Sequence, residues 1–371
     1  MIYNSDGVYK AALAKDSGLS KPAVSDNVAD LVAVGLVEER ESGSSGKNGG
    51  RRPVMLHFNK SLSYIGVLDF SLREPVCAIG DLGNWILRLR KIQIDRDAVA
   101  EEKRKCITDT FLSMLSELSI PEEKMEIIII SHPGIIGADN ELRYVIDKFR
   151  PWTRINIKAH LAERFGVPVL LENDINLAAV GEMHLGHSEK LQNLIYVSCG
   201  TGFGAGVVIN GKLYSGYNRA AGEIGFALDS NGRRIEDVVG IDGLLERIGN
   251  MPNADARYKA LSFSDVVEMA KQGNPIINQC IRETGREIGR LIYNYSVLMD
   301  IPTIVFGGDY LKLGQVLFDG IDEAMPHTFY FRPNVVKSIL KESACIFGSL
   351  VMGKDEIVRQ KLSSISDLDV E

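Results

Sequence analysis

Cysteine is scarce in this chain: five in 371 residues, at positions 77, 106, 199, 280 and 345, with no CxxC pair. A dispersed, odd set reads as reduced, buried thiols rather than a disulfide framework. No Cys/His cluster has the spacing of a metal site, so no metal is expected. Long apolar runs are missing as well. Stretches such as Ile127–Ile130 fall far short of the ~18 residues that a membrane span needs. The opening MIYNSDGVYK lacks a charged-then-apolar export signal. These absences point to a cytoplasmic protein with no membrane partner. Basic excess is also absent, with 42 Lys and Arg against 49 Asp and Glu. That excludes a chain that coats nucleic acid, but not a local basic patch, because net charge averages over domains. What is present is an ordinary globular mixture, 45% hydrophobic and 25% charged. The length suggests two or three domains.

The first sixty residues predict a compact module. A short helix over Val8–Ser17 turns inward Leu13 and Ala14. Gly18-Leu19-Ser20 makes a turn, with Ser20 as N-cap and Pro22 in the first turn of a second helix. Val24, Val28 and Leu31 give that helix one apolar stripe, and Gly35 stops it. Two strands follow, around Leu36–Arg40 and Val54–Phe58, flanking a Gly/Ser-rich tip that ends in Gly49-Gly50-Arg51-Arg52-Pro53. From Lys47 to Lys60 the basic residues 47, 51, 52 and 60 face no acid, which suits a cationic wing on phosphates. The pattern is a helix-turn-helix with a wing, or else a helical cap with a linker. On the first reading Arg51 and Arg52 contact DNA, Ser25 and Asn27 read bases, and Lys21 meets a phosphate. Asp26 and Asp30 oppose that role. Only about seven residues precede the first helix, too few for the extra helix that usually completes such a module; the chain starts late, or Met1-Ile2-Tyr3 partly stands in for it.

Beyond Leu62 strands and helices alternate, the texture of an α/β body. Strands are expected at Tyr64–Leu68, Pro75–Ile79, Ile127–Ser131, Val167–Leu171, Leu194–Ser198 and Val207–Ile209. Long helices are expected near Ala98–Leu118 and Ile175–His184. Asn210-Gly211 predicts a type I′ hairpin into Lys212–Tyr214. Strand–loop–strand thus recurs at 64–79 and 194–214, which suggests two similar lobes around a cleft, where ligands collect. Cys199–Gly206 reads as a glycine-rich loop whose amides and Thr201 hydroxyl suit an anion, or as a plain glycine-rich hairpin. Asn173-Asp174 opens a helix; it is an N-cap or a sugar and phosphate site.

Together these motifs resemble the ROK family, which groups repressors and sugar kinases on a two-lobed, actin-like (ribonuclease H-like) fold. The resemblance rests on the N-terminal module, on Glu172-Asn173-Asp174, on Gly200–Gly206, on Ala221-Gly222-Glu223-Ile224-Gly225 and on Gly307-Gly308. It implies a winged helix-turn-helix over 1–60 and a first lobe over 61–182, rejoined by a C-terminal helix at about 353–371. A second lobe would occupy 183–352. It places sugar contacts at Asn173, Asp174, Glu223 and Glu246. Asp69, Gly200, Thr201, Gly202, Gly204, Gly307 and Gly308 fall on a vestigial phosphate and adenosine grip. Glu223 and Glu246 are otherwise solvated surface acids, and His184 and His187 read as structural.

Departures from the family decide the implied function. Its kinases follow the first-lobe Asp with a Gly-Gly-Thr loop, whereas Asp69 is followed by Phe70-Ser71-Leu72-Arg73-Glu74-Pro75. Phe and Leu side chains are expected to fill the phosphate space and Glu74 to repel its charge. Phosphoryl transfer relies on that cradle, so Asp174 remains a general base without a donor. Many members carry a zinc-binding His and three Cys; here those positions hold Phe226, Asp237, Val239 and Leu244, which cannot form a zinc tetrahedron. That loop is expected to be held by apolar packing. The resemblance therefore implies a sugar-responsive DNA-binding regulator, a repressor of carbohydrate genes without a cofactor. Its partners would be an operator, a sugar or sugar-phosphate effector and further copies of itself, as a homodimer or homotetramer. An ATP-dependent sugar kinase with an N-terminal appendage is the alternative from another class. A regulator that no longer binds DNA is a third.

Overall fold

The computed structural model describes residues 1–5, 7–41, 54–71, 74–95, 97–145, 150–187, 191–252, 256–326 and 331–368. The N-terminal head contains α1 (Lys10–Ser17) and α2 (Lys21–Ala33), followed by the antiparallel pair β1 (Val37–Glu41) and β2 (Val54–Phe58). The Ser20 hydroxyl caps α2 by accepting from Ala23 N at 3.3 Å. Helix α1 begins two residues later than the pattern suggests, because Val8 exchanges backbone bonds of 3.0 and 2.8 Å with Leu56 and extends the small sheet. Leu13, Val24, Val28, Val37 and Leu56 form the head's core, with Ile2, Val8, Ala14 and Leu31 against it. The expected wing tip, with Lys47, Arg51 and Arg52, lies outside the described residues.

The first lobe comprises β3 (Tyr64–Asp69), β4 (Val76–Asp81), β5 (Ile86–Lys91), α3 (Ala100–Glu117), β6 (Met125–His132), β7 (Ile135–Ile136), β8 (Leu142–Tyr144), α4 (Arg150–Thr153), α5 (Ile157–Phe165), β9 (Val169–Asn173) and α6 (Asp174–Gly181). The second holds β10 (Leu194–Cys199), β11 (Phe203–Ile209), β12 (Lys212–Leu213), α7 (Ile235–Val239), α8 (Ile241–Gly249), α9 (Phe263–Lys271), α10 (Pro275–Met299), β13 (Thr303–Gly307), α11 (Gln315–Ala324) and β14 (Asn334–Lys337). The last helix, α12 (Ala344–Leu368), returns to the first lobe.

The two sheets are topological copies. Their orders are β5-β4-β3-β6-β9 and β12-β11-β10-β13-β14. In each, three antiparallel strands come first and two parallel strands follow. The repeat read from strand–loop–strand at 64–79 and 194–214 is therefore complete across five strands. Parallel strands buried on both faces explain the unbroken run Ile127–Ile130.

One expectation is corrected at the glycine-rich segment. Only Gly200–Gly202 turn; Phe203–Ile209, including Gly204 and Gly206, is strand β11, paired with β10. Gly204 and Gly206 are demanded by packing. A Cβ on Gly204 would lie 2.6 Å from Ile175 Cδ1, and one on Gly206 would lie 2.7 Å from Ala179 Cβ. The missing side chains let α6 lie directly on the strand.

Helix α12 links distant parts of the molecule. It crosses α6 backbone to backbone: a Cβ on Gly348 would fall 1.8 Å from Leu177 O, and one on Gly181 would fall 2.2 Å from Ala344 O. Further along, Lys354 places its ammonium 4.2 Å above the Tyr3 ring. Tyr3 also meets Phe58 edge-on at 4.9 Å, and its hydroxyl accepts from Asn84 Nδ2 at 2.7 Å. Met1-Ile2-Tyr3 thus joins the head to the body.

Candidate functional site

A cleft of about 840 Å³ opens between the two lobes. Asn173, Asp174, Glu223, Gly200, Thr201, Gly202, Gly204 and Gly308 line it. Three further candidates stand outside that lining. Asp69 is fully buried beneath the cleft, and Gly307 packs on Tyr196. Glu246 is an exposed residue of α8 outside the lining. Among the DNA candidates, Lys21, Ser25 and Asn27 are all exposed on α2, and Asn27 borders an apolar groove shared with Val358 and Leu362 of α12.

Asn173 is the N-cap of α6. Its Oδ1 accepts from Ile175 N at 2.9 Å and Asn176 N at 3.0 Å, and its Nδ2 donates to Gly134 O at 2.9 Å. The amide oxygen is thus occupied, which leaves one N–H for a ligand. Asp174 follows at the first helical position. Burial, and then the charges of Asp69 and Glu223, push its carboxyl up to about 7. Burial also raises Asp69, whose Oδ1 accepts from Ser71 N and Ser131 Oγ, both at 2.9 Å. Asp69 Oδ2 has no hydrogen-bond partner among the described residues. Burial and Glu236 raise Glu223. The polar end of the cleft is therefore a group of acids that resist ionisation together, a setting that favours donors such as sugar hydroxyls.

The anion-binding expectation for the glycine turn meets two acids. Glu236 accepts from Phe203 N at 3.1 Å, and Gly200 N donates to Gly202 O at 2.9 Å. Asp309 approaches from the other side, where a Cβ on Gly200 would lie 3.1 Å from its Oδ2. The Gly200 amide and that of Phe203, the first residue after the turn, are thus already bonded, and carboxylates flank it. Lys312, at 2.7 Å from Asp309, offsets one of those charges.

In the segment after Asp69 the steric expectation is corrected. Phe70 points into the first-lobe core, 5.4 Å from Trp152 and 5.6 Å from His132, and does not line the cleft. Glu74 is exposed and pairs with Lys91 at 3.2 Å, so it does not repel charge at the cleft. Ser71 lines the cleft, while Leu72 and Arg73 lie outside the described residues. At the zinc-signature positions, Val239 and Leu244 are fully buried in the second-lobe core and Asp237 is exposed and paired with Arg234 at 2.7 Å. Phe226 lines the cleft.

Several lining or supporting residues escaped the sequence reading. Tyr144 is far from any motif, and Glu236 directly precedes the zinc-signature position Asp237 without belonging to the signature; both arrive through topology. Glu182, in a π-helical turn after α6, is fully buried. It accepts from Ser338 Oγ at 2.5 Å and Leu340 N at 3.0 Å, with His187 Nε2 at 3.5 Å. It thereby fixes the Ser338–Leu340 wall to α6. His184 is exposed. Cys345 opens α12 at the cleft, its Sγ 2.7 Å from Ser131 Oγ.

Among the described residues, no helix is long and apolar enough to cross a membrane. The chain is 30% identical to the xylose repressor of Bacillus subtilis (strain 168) over 274 residues, covering 72% of this chain and 70% of that one. It is 27% identical to the xylose repressor of Staphylococcus xylosus over 362 residues, covering 93% and 85%. Its fold matches a crystal structure of a ROK family transcriptional regulator, a homolog of the E. coli MLC protein, with a TM-score of 0.76 at 20% identity over 95% and 94% of the two chains. A ROK family glucokinase from Streptomyces griseus matches 78% of this chain and 98% of its own, with a TM-score of 0.63 at 21% identity. The ROK family profile covers residues 76–360, most of the body, and with that match this chain belongs to the ROK family.

Proposed function

We propose that this chain is a sugar-responsive, DNA-binding transcriptional repressor whose body descends from a sugar kinase. The observation that carries the proposal is the course of α12. Its first turn places Cys345 in the cleft, and its later turns place Lys354, Val358 and Leu362 against the head. A ligand between the lobes would bias their closure, and α12 would carry that bias to the head. The shift can be no larger than the ligand's difference in affinity between the two settings. Asn173, Asp174 and Glu223 are the sugar-facing polar groups. Lys21, Ser25 and the wing residues Arg51 and Arg52 face DNA, in a homodimer or homotetramer that presents two heads to paired half-sites.

Loss of kinase activity belongs to the same proposal. Glu236 and Asp309 flank the glycine turn that the family resemblance assigns to phosphate, and their negative charge opposes a triphosphate there. The kinase reading keeps one supporting observation, Asp174 poised as a general base near neutral pH. Relatives named xylose repressor make D-xylose the first probe. A gel shift on DNA upstream of carbohydrate genes, at fixed salt, with and without D-xylose, D-glucose and their phosphates, tests the proposal. Sugar-dependent retardation is expected; no specific retardation under any condition defeats it.

A further inference from the structure

Two aromatic rings meet at the cleft, and nothing above uses them. Tyr144 ends β8 on the first lobe, and Phe226 ends the short 3-10 turn Ile224–Phe226 on the second. Their ring centroids are 5.7 Å apart at an interplanar angle of 72°. Tyr144 is 42% exposed and Phe226 43% exposed. Both line the cleft beside Asn173, Asp174 and Glu223. Single exposed apolar residues need no explanation. Two large rings from different lobes, converging on the opening that holds the polar groups, do.

Each ring is tied to one side of the polar group. A Cβ on Gly134 would strike Tyr144 O at 2.3 Å, so the β7–β8 hairpin is closed tightly there, and Gly134 O accepts from Asn173 Nδ2 at 2.9 Å. The Tyr144 ring therefore moves with the Asn173 wall. Phe226 N donates to Glu223 O at 3.2 Å, so the Phe226 ring moves with Glu223. Binding pockets combine an apolar wall with a few placed polar groups. A pyranose has that same division, with hydroxyls at its edge and C–H groups on its face.

Building on the sensor reading, we propose that Tyr144 and Phe226 form the apolar wall of the sugar subsite, contacting the C–H face of a neutral pyranose. Because the wall is assembled from both lobes, it is whole only at this degree of closure. The sugar then favours the closed setting by contacting both halves at once.

Isothermal titration of the full chain with D-xylose and D-glucose tests the wall. Tyr144→Ala and Phe226→Ala should each weaken binding roughly five-fold, the effect of one aromatic contact. Tyr144→Phe should bind like the parent chain, because the ring rather than the hydroxyl is in contact. The double alanine variant should lose less than the product of the single effects, since either deletion dismantles the pair. Unliganded unfolding temperatures should stay within about 2 °C of the parent, as for surface changes. If the parent binds sugar and both alanine variants bind it equally well, the wall is overturned and the sensor stands. A loss in Tyr144→Phe equal to that in Tyr144→Ala also overturns it. If the parent binds neither sugar, the wall has no neutral pyranose to contact and is overturned, while the sensor reading stands or falls by the gel shift.

Discussion

Arg219 Nη2 donates to Glu172 Oε2 at 2.8 Å, reaching a carboxylate that is only 5% exposed from a backbone held at φ 57°. The same carboxylate accepts through Oε1 from Asn173 N at 2.9 Å and Asn176 Nδ2 at 3.2 Å. One ion pair thus fixes the loop before Glu223 to the strand end that carries Asn173. Left-handed backbone at a non-glycine residue is unfavourable and persists because the pair holds it.

This arrangement predicts an order of stabilities. Arg219→Ala should lower unfolding free energy by about 1–3 kcal/mol, because it strands a buried acid while keeping the strained backbone. Arg219→Gly loses the same pair but relaxes the backbone by roughly 1 kcal/mol, so it should be the milder change. Urea unfolding of both variants settles the order; an alanine variant at least as stable as the glycine variant contradicts it.

Asp174 predicts a pH-dependent difference. Its folded carboxyl sits near about 7 against an ordinary value of 3.8, so the fold favours the protonated form. That contribution is whole below the unfolded value, fades as pH rises through about 7, and stays lost above. Asp174→Asn, which cannot ionise, should therefore gain stability relative to the parent between pH 4 and 7.5. The gain should reach about 1–3 kcal/mol at pH 8 without sugar. Thermal unfolding across that range gives the answer, and a pH-independent difference would refute it.

The crowded glycine turn predicts catalytic silence. With Phe203 N held by Glu236 and Asp309 beside Gly200, sugar-dependent ADP release should not rise above the protein-free rate with any common hexose or pentose. Glu236→Gln should not create it. Turnover abolished by Asp174→Asn would reverse the ranking of repressor over kinase.

The α6–α12 crossing predicts a coupling defect. Gly348→Ala puts a methyl group against Leu177 O, a backbone atom that cannot rotate away. The helices must separate, at about 1–3 kcal/mol of stability. If α12 carries the signal, DNA binding by the folded variant should respond less to sugar than in the parent. An unchanged sugar response in gel shifts, with α12 still helical, argues against that route.

Much of the fold was legible because its signals are local. Ser20 and Pro22 mark the start of α2, and Asn210-Gly211 forms the tight hairpin with both residues left-handed, at φ 51° and 72°. Asn173-Asp174 also falls where expected, between β9 and α6. Legibility failed where the outcome depends on which side of an element faces the cleft. Phe70 follows a strand, and no pattern told whether its ring entered the core or the cavity. Gly204 looked like loop because glycine spacing does not distinguish an anion cradle from a strand under a close helix. Glu236 and Tyr144 carry no motif, and only the pairing of remote segments brings them to the site. Glu246 matched a motif, yet the turn of α8 leaves it in solvent.

The head's own core is small: among the described residues Leu13, Val24, Val28, Leu36, Val37 and Leu56 are its buried apolar side chains. So few residues cannot hold two helices and a ribbon in order by themselves. The ring of Tyr3, clasped between Phe58 and Lys354, supplies the remainder. The integrity of the head is therefore a property of the entire polypeptide. A weakened clasp will register first as faster amide exchange in α1 and α2, a softening of the reader itself, before any rigid block has turned.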